Sequence, residues 1–156
     1  MASRLLARAS LAHVTVPCAR ALGSASASTS VASTDEIVMR DMEFFARHGA
    51  LKPERELGQR FVVNVRLAVD LRRVGASDDL AHTVDYAKAW ELVREVVERG
   101  ETRTTIEAVA HETATTLLRA FADARAATVA IDKPHVAIGG RVGSLGVQIT
   151  RDRGDA

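Results

Sequence analysis

Phe61-Val-Val-Asn-Val-Arg-Leu-Ala-Val-Asp-Leu71 is the stretch that decides the architecture. Positions 61, 63, 65, 67, 69 and 71 are all apolar, whereas the intervening residues are Val62, Asn64, Arg66, Ala68 and Asp70. A period of two sends alternate side chains to opposite sides of an extended chain, so this segment is a long strand with one dry face and one wetter face. Upstream, Ile37, Val38, Met39, Met42, Phe44 and Phe45 alternate imperfectly between Glu36 and Ala46. That pattern predicts a second strand with a bulge near Asp41.

Downstream the period changes. Ala89, Trp90, Val93, Val96 and Val97 recur at three-and-four spacing and predict a helix over 86–98, with Gly100 placed as its cap. Ile106, Val109, Ala110, Thr113, Leu117 and Phe121 mark one face of a second helix over 105–121. Strands return at 127–133, with Val129 and Ile131 inward, and at 142–150, with Leu145, Val147 and Ile149 inward. The order is β-β-α-α-β-β. Because strands and helices are grouped, the pattern predicts an α+β fold, a four-stranded antiparallel sheet with two helices on one face. Two helices leave the other face and the strand edges uncovered, and assembly into oligomeric rings would cover them.

Charge separates the chain into regions. Residues 1–34 contain Arg4, Arg8 and Arg20, many Ser and Ala, and no acid, which is the composition of an organellar transit peptide. Arginines beginning at position 4 favour the mitochondrion, with plastid or cytoplasm as the alternatives. The Ser/Ala/Thr run 24–34 buries too little to offset its ordering entropy, so it is expected to be disordered. The domain is expected over 35–151, followed by a tail at 152–156.

Residues 35–156 hold 18 Lys and Arg against 20 Asp and Glu, a balance that argues against nucleic acid as the main partner. Aromatic content of 4% is too low for base-stacking platforms. No apolar run approaches the ~18 residues a membrane-spanning helix needs. The single cysteine, Cys18, lies in the leader, so the domain has neither a disulfide nor a thiolate metal site. His13, His48, His82, His111 and His135 are scattered without metal-ligand spacing. Gly139, Gly140, Gly143 and Gly146 do not lead from a strand into a helix, so they read as a turn between strands rather than a dinucleotide fingerprint.

Five segments in order resemble the dihydroneopterin aldolases. They are Phe45-Ala-Arg-His-Gly-Ala-Leu-Lys-Pro-Glu54 with Leu57-Gly-Gln-Arg-Phe61; Ser77-Asp-Asp-Leu80 with Thr83-Val-Asp-Tyr86; Thr105-Ile-Glu-Ala-Val-Ala110; Ile131-Asp-Lys-Pro-His-Val-Ala-Ile138; and Leu145-Gly-Val-Gln-Ile-Thr-Arg151. The resemblance implies a tunnelling fold and retro-aldol cleavage of 7,8-dihydroneopterin to glycolaldehyde and 6-hydroxymethyl-7,8-dihydropterin in folate synthesis, sometimes with side-chain epimerisation. It implies no metal and no cofactor. It also implies a homo-octamer of two stacked four-subunit rings, with sites between subunits.

Carried over residue by residue, the resemblance makes Glu107 the pterin anchor beside Ile106, and Lys133, Tyr86 and Glu54 the catalytic residues. Glu54 and Tyr86 would also touch substrate. Each has a plainer reading in spacing alone. Thr104-Thr-Ile-Glu107 is a capping box, Lys133 a strand-end lysine, Tyr86 a first-turn helix residue and Glu54 a solvated loop charge. Two departures stand out: many relatives have Tyr-Gly-Tyr before the His-Gly pair and often Pro-Gly in the last loop, where this chain has Phe45-Ala46-Arg47 and Gly139-Gly140-Arg141. The first removes an aromatic from one wall of the expected pocket. Two other functions fit the same segments, a dihydroneopterin triphosphate epimerase and a non-catalytic ring protein that binds pterins or purines.

Overall fold

The structure is a computed structural model that describes residues 35–136 and 138–155. The expected transit peptide, residues 1–34, lies outside the described residues.

Strand β1 (Glu36–Ala46) pairs antiparallel with β2 (Gln59–Ala68), which pairs with β3 (Ala126–Lys133), which pairs with β4 (Leu145–Asp152). The sheet order is β1-β2-β3-β4. Phe61, Val63, Val65 and Leu67 of β2 are fully buried, as are Ala127, Val129 and Ile131 of β3. Each of these Phe, Val, Leu and Ile side chains contributes about 1.5–3 kcal/mol relative to exposure. Helices α3 (Tyr86–Val97) and α4 (Ile106–Ala120) cover this dry face, α4 lying against β3 and β4 and α3 against β1. The opposite face is a shallow polar groove lined by Arg40, Asn64, Arg66, Thr128 and Asp132. This is the expected α+β sheet with helices on one face.

The bulge in β1 is real and changes the strand's phase. Met39 opposes Val65 and Met42 opposes Val63, so Arg40 and Asp41 together span the single residue Asn64. Asp41 adopts φ 54°, and its N–H donates to Asn64 Oδ1 at 2.9 Å. Beyond the bulge, Met42, Phe44 and Ala46 are buried.

Some boundaries differ from the periodicity. Strand β2 ends at Ala68, opposite Glu36, the first residue of β1. Inward alternation nevertheless persists through Val69 and the partly buried Leu71, whose N–H groups donate to the backbone carbonyl and Oδ2 of Asp35. Two six-residue helices, α1 (Lys52–Leu57) and α2 (Arg72–Ser77), and a 3-10 turn at Leu80–His82 are too short to show a period.

Strand β4 begins at Leu145 rather than Val142, since its partner β3 stops at Lys133 before Pro134. Leu145 is 43% exposed and does not join the core. Trp90 is also exposed; its ring lies against Phe44 and under the Arg94 guanidinium. Gly100 is not the cap of α3. Glu98 ends that helix in right-handed geometry, and Gly100 serves instead where a Cβ would come within 2.5 Å of the Val96 carbonyl oxygen. At the C-terminus β4 runs one residue past the boundary expected at 151, and the Arg153 guanidinium donates to the carbonyls of Leu118 and Phe121.

The β3–β4 pairing tolerates no side chain at Gly146, where a Cβ would lie 2.5 Å from the Ile131 carbonyl oxygen and 2.3 Å from Asp132 Oδ1. Gly146→Ala should therefore destabilise the fold by about 1–3 kcal/mol in urea unfolding, as overpacking does. A variant as stable as the parent would show that the strands separate freely there.

Candidate active site

The connection after β1 folds back on itself before α1. Gly49 takes φ 154°, and a Cβ there would meet Glu54 Oε2 at 2.4 Å, so the close approach of chain and carboxylate requires glycine. Glu54, in the first turn of α1, accepts from the Leu51 N–H at 2.9 Å through Oε2. Its Oε1 accepts from Gln59 Nε2 at 2.9 Å and from Lys133 Nζ at 2.8 Å. Lys133 closes β3 with its side chain 10% exposed, and Nζ lies 5.9 Å from the Phe61 ring centroid. Burial alone would push the Glu54 carboxyl up. The bonds from Lys133, Leu51 and Gln59 outweigh it and hold the carboxyl down at about 2.

A second wall faces this pair across a cleft of about 330 Å³. It is the entrance to α4, where Thr105 is the N-cap and its Oγ1 accepts from the Ala108 N–H at 3.3 Å. Glu107 therefore sits at the second helical position, and the capping box that spacing suggests is not formed. Glu107 is exposed, lines the cleft, and has no hydrogen bond or ion pair among the described residues. Ile106 beside it is buried and closes the floor. Leu51, Val136, Ile138, Leu145 and Val147 supply apolar walls, which is where the exposed Leu145 is used. A carboxylate at a helix entrance opposite an ion-paired lysine suits a ligand with a planar donor edge and a polar tail.

Four of the five residues singled out from the sequence, Glu54, Ile106, Glu107 and Lys133, thus share one cleft. Tyr86 does not. It begins α3, is 66% exposed, and lines a separate apolar recess with Met39, Met42 and Trp90. Neither departure from the family pattern lines the cleft: Phe45 is exposed and packs against Gly58, and Gly139, Gly140 and Arg141 lie in the exposed β3–β4 loop. Gln59, His48 and Arg103 carry no role in the sequence reading. Gln59 lay within a quoted segment, but its bonds to Glu54 and to the His48 carbonyl depend on folding. His48 and Arg103 meet across 55 residues through a backbone N–H, which no motif encodes.

A half-covered antiparallel sheet with a cleft between the end of β3 and the start of α4 is the architecture expected of a tunnelling-fold protein. The family model "FolB: Dihydroneopterin aldolase" matches residues 37–150, and the chain belongs to that family of aldehyde-lyases. It is 38% identical over 120 residues to dihydroneopterin aldolase 1 of Arabidopsis thaliana, covering 76% of this chain and 82% of the relative. Among solved structures, Escherichia coli dihydroneopterin aldolase in complex with neopterin matches with TM-score 0.68 and 30% identity, over 75% of this chain and 98% of that one. A Burkholderia dihydroneopterin aldolase bound to guanine matches with TM-score 0.63 and 28% identity, over 76% and 91%.

The Glu54–Lys133 pair has a consequence for acid stability. A carboxyl held at about 2 when folded and near its ordinary 4.5 when unfolded stabilises the fold fully above pH ~4.5 and loses that contribution as pH falls toward 2. Lys133→Met should flatten this limb of the urea-unfolding stability between pH 5 and 2.5. An unchanged slope would show that the ion pair does not hold the carboxylate.

Proposed function

We propose that this chain cleaves 7,8-dihydroneopterin by a retro-aldol reaction, with Glu107 as the pterin anchor and Lys133, Tyr86 and Glu54 as catalytic residues. The observation that carries this reading is the shared cleft, in which a carboxylate without a partner among the described residues faces a lysine fixed by a carboxylate. The ring N–H and 2-amino group of a pterin form a guanidinium-like edge that Glu107 receives in two parallel hydrogen bonds. Neopterin and guanine, bound in the two related structures, both carry that edge.

With the ring so held, the trihydroxypropyl tail reaches toward Lys133. Removal of the 2′-hydroxyl proton breaks the C1′–C2′ bond and releases glycolaldehyde. The electron pair passes from C1′ into the C6=N5 bond, so the dihydropterin is its own electron sink and no lysine imine is required. Lys133, through a water near N5, supplies the proton that the developing negative charge demands. Glu54 remains a carboxylate and fixes the ammonium in place. Protonation at C1′ by the Tyr86 phenol, with the N5 proton returning through the water to Lys133, completes 6-hydroxymethyl-7,8-dihydropterin, and the proton taken from the 2′-hydroxyl restores the phenol.

Since Tyr86 opens on a different recess, it serves the cleft of a neighbouring copy, as expected of rings with sites between subunits. The exposed apolar surface around Tyr86 and Trp90 supports that contact.

Glu107→Ala should weaken neopterin binding by about tenfold or more, as loss of a charge-assisted bond implies; unchanged calorimetric affinity would remove the anchor. Lys133→Ala and Tyr86→Phe chains should each be nearly inactive alone. Unfolded and refolded together, they should regain glycolaldehyde release, because hybrid interfaces rebuild intact sites. Mixtures as inactive as their components would place lysine and tyrosine on one chain.

For residues 1–34 the acid-free, Arg-bearing composition supports a mitochondrial address. Fused to a fluorescent reporter they should direct it to mitochondria, and an evenly cytosolic signal would refute the assignment.

A further inference from the structure

His48 is 2% exposed and belongs to neither catalytic wall, yet it touches the supports of both. Its Nδ1 accepts from the Arg103 backbone N–H at 3.0 Å, and its Nε2 lies 2.8 Å from the Val97 carbonyl oxygen. The first bond requires a bare Nδ1 and the second a protonated Nε2, so both bonds coexist only in the neutral ring with its proton on Nε2. The adjacent Gly49 N–H donates to the Arg103 carbonyl at 3.0 Å, which clamps Arg103 from both sides. One residue beyond Arg103 the chain enters Thr104–Glu107, the wall that carries the anchor. The His48 carbonyl in turn accepts from Gln59 Nε2 at 3.1 Å, and the same amide nitrogen donates to Glu54, the partner of Lys133.

We propose that His48 is a positioning residue that sets the distance between the anchor on α4 and the Glu54–Lys133 pair, and that protonating its ring uncouples them. The proposal rests on the retro-aldol reading of the same cleft. A second proton can only go to Nδ1, where it would confront the Arg103 N–H and break the clamp. The groups facing the ring are the Arg103 guanidinium, the Glu112 carboxylate and the Lys133 ammonium, with the Phe61 ring edge-on at 5.7 Å. Burial lowers the imidazole below its ordinary 6.5, against the opposing pull of the Val97 carbonyl, while Arg103 and Lys133 lower it further and Glu112 raises it. The neutral ring is thus the resting form at pH 7, and the coupling is lost on the acid side. Misplacing reacting groups by about 1 Å can cost up to ~10²-fold in rate, whereas an intact Glu107 still binds the ring system.

The test compares the purified full chain with His48→Ala and His48→Asn. Both variants lose the bond to Val97; only Asn keeps an oxygen near the Nδ1 position to receive the Arg103 N–H. The expected result for His48→Ala is a kcat about tenfold or more lower, with the neopterin Kd within about threefold of the parent. His48→Asn should recover kcat to within about threefold and should lack the fall in kcat expected of the parent on the acid side. Equal kcat in all three folded proteins, or an acid limb that persists in His48→Asn, overturns the proposal. So does a thermal unfolding midpoint lowered in His48→Ala with kcat per folded molecule unchanged. If the parent binds neopterin but releases no glycolaldehyde, the retro-aldol reading fails. Crystal structures of parent and His48→Ala with neopterin then decide the positioning role: a widened gap between Glu107 and Lys133 supports it and an unchanged gap overturns it.

Discussion

The candidate site is organised around one carboxylate with three donors. Glu54 receives a main-chain N–H from its own helix entrance, an amide from β2 and an ammonium from the end of β3. The α1–β2 segment is thereby fixed at one point to the end of β3, 79 residues further along the chain. A lysine tucked against an aromatic face at the end of a strand would otherwise have to be desolvated without compensation, which is costly. Here its charge is balanced and its position set by the same contact. The fold exists to bring those donors together: the fully buried side of β2 and β3 is the platform from which Gln59 and Lys133 extend.

The other wall uses a different economy. At the entrance of α4 the threonine hydroxyl satisfies a free N–H, which leaves the neighbouring Glu107 unbound among the described residues. In the sequence, Thr104-Thr-Ile-Glu107 was equally consistent with a self-satisfied helix end. Which threonine caps is a matter of a single residue of phase, and a shift of one position separates an occupied carboxylate from an available one. Glu107 was therefore legible as a candidate, and its carboxylate as an available one only once the cap was located.

The same contrast runs through the rest of the chain. The strand 61–71 announced itself because its alternation is complete, and the α4 face because six apolar or small residues fall on one stripe. What escaped were features of a single contact or a single turn. The short helices have no period to detect, Gly100 looked like a cap because it follows a helix, and Leu145 looked like core because it is apolar and in phase. Trp90 fell in phase with its helix's buried residues but lies on the flank where α3 meets an edge strand. The lysine and the two glutamates were legible only through resemblance, since lone charges at strand and helix ends are ordinary. The His48 linkage was not legible at all, because its partners are peptide groups and any residue type supplies those.

The irregularity at Asp41 now has a meaning beyond local geometry. Before it, odd-numbered residues such as Ile37 and Met39 turn toward the helices; after it, the even-numbered Met42, Phe44, Ala46 and finally His48 do so. Had the same residues run on in regular pairing with no bulge, Glu43, Phe45 and Arg47 would point inward and the imidazole would hang in solvent. A kink seven positions upstream thus acts as a frameshift in side-chain parity, and it is what aims the ring between the two walls.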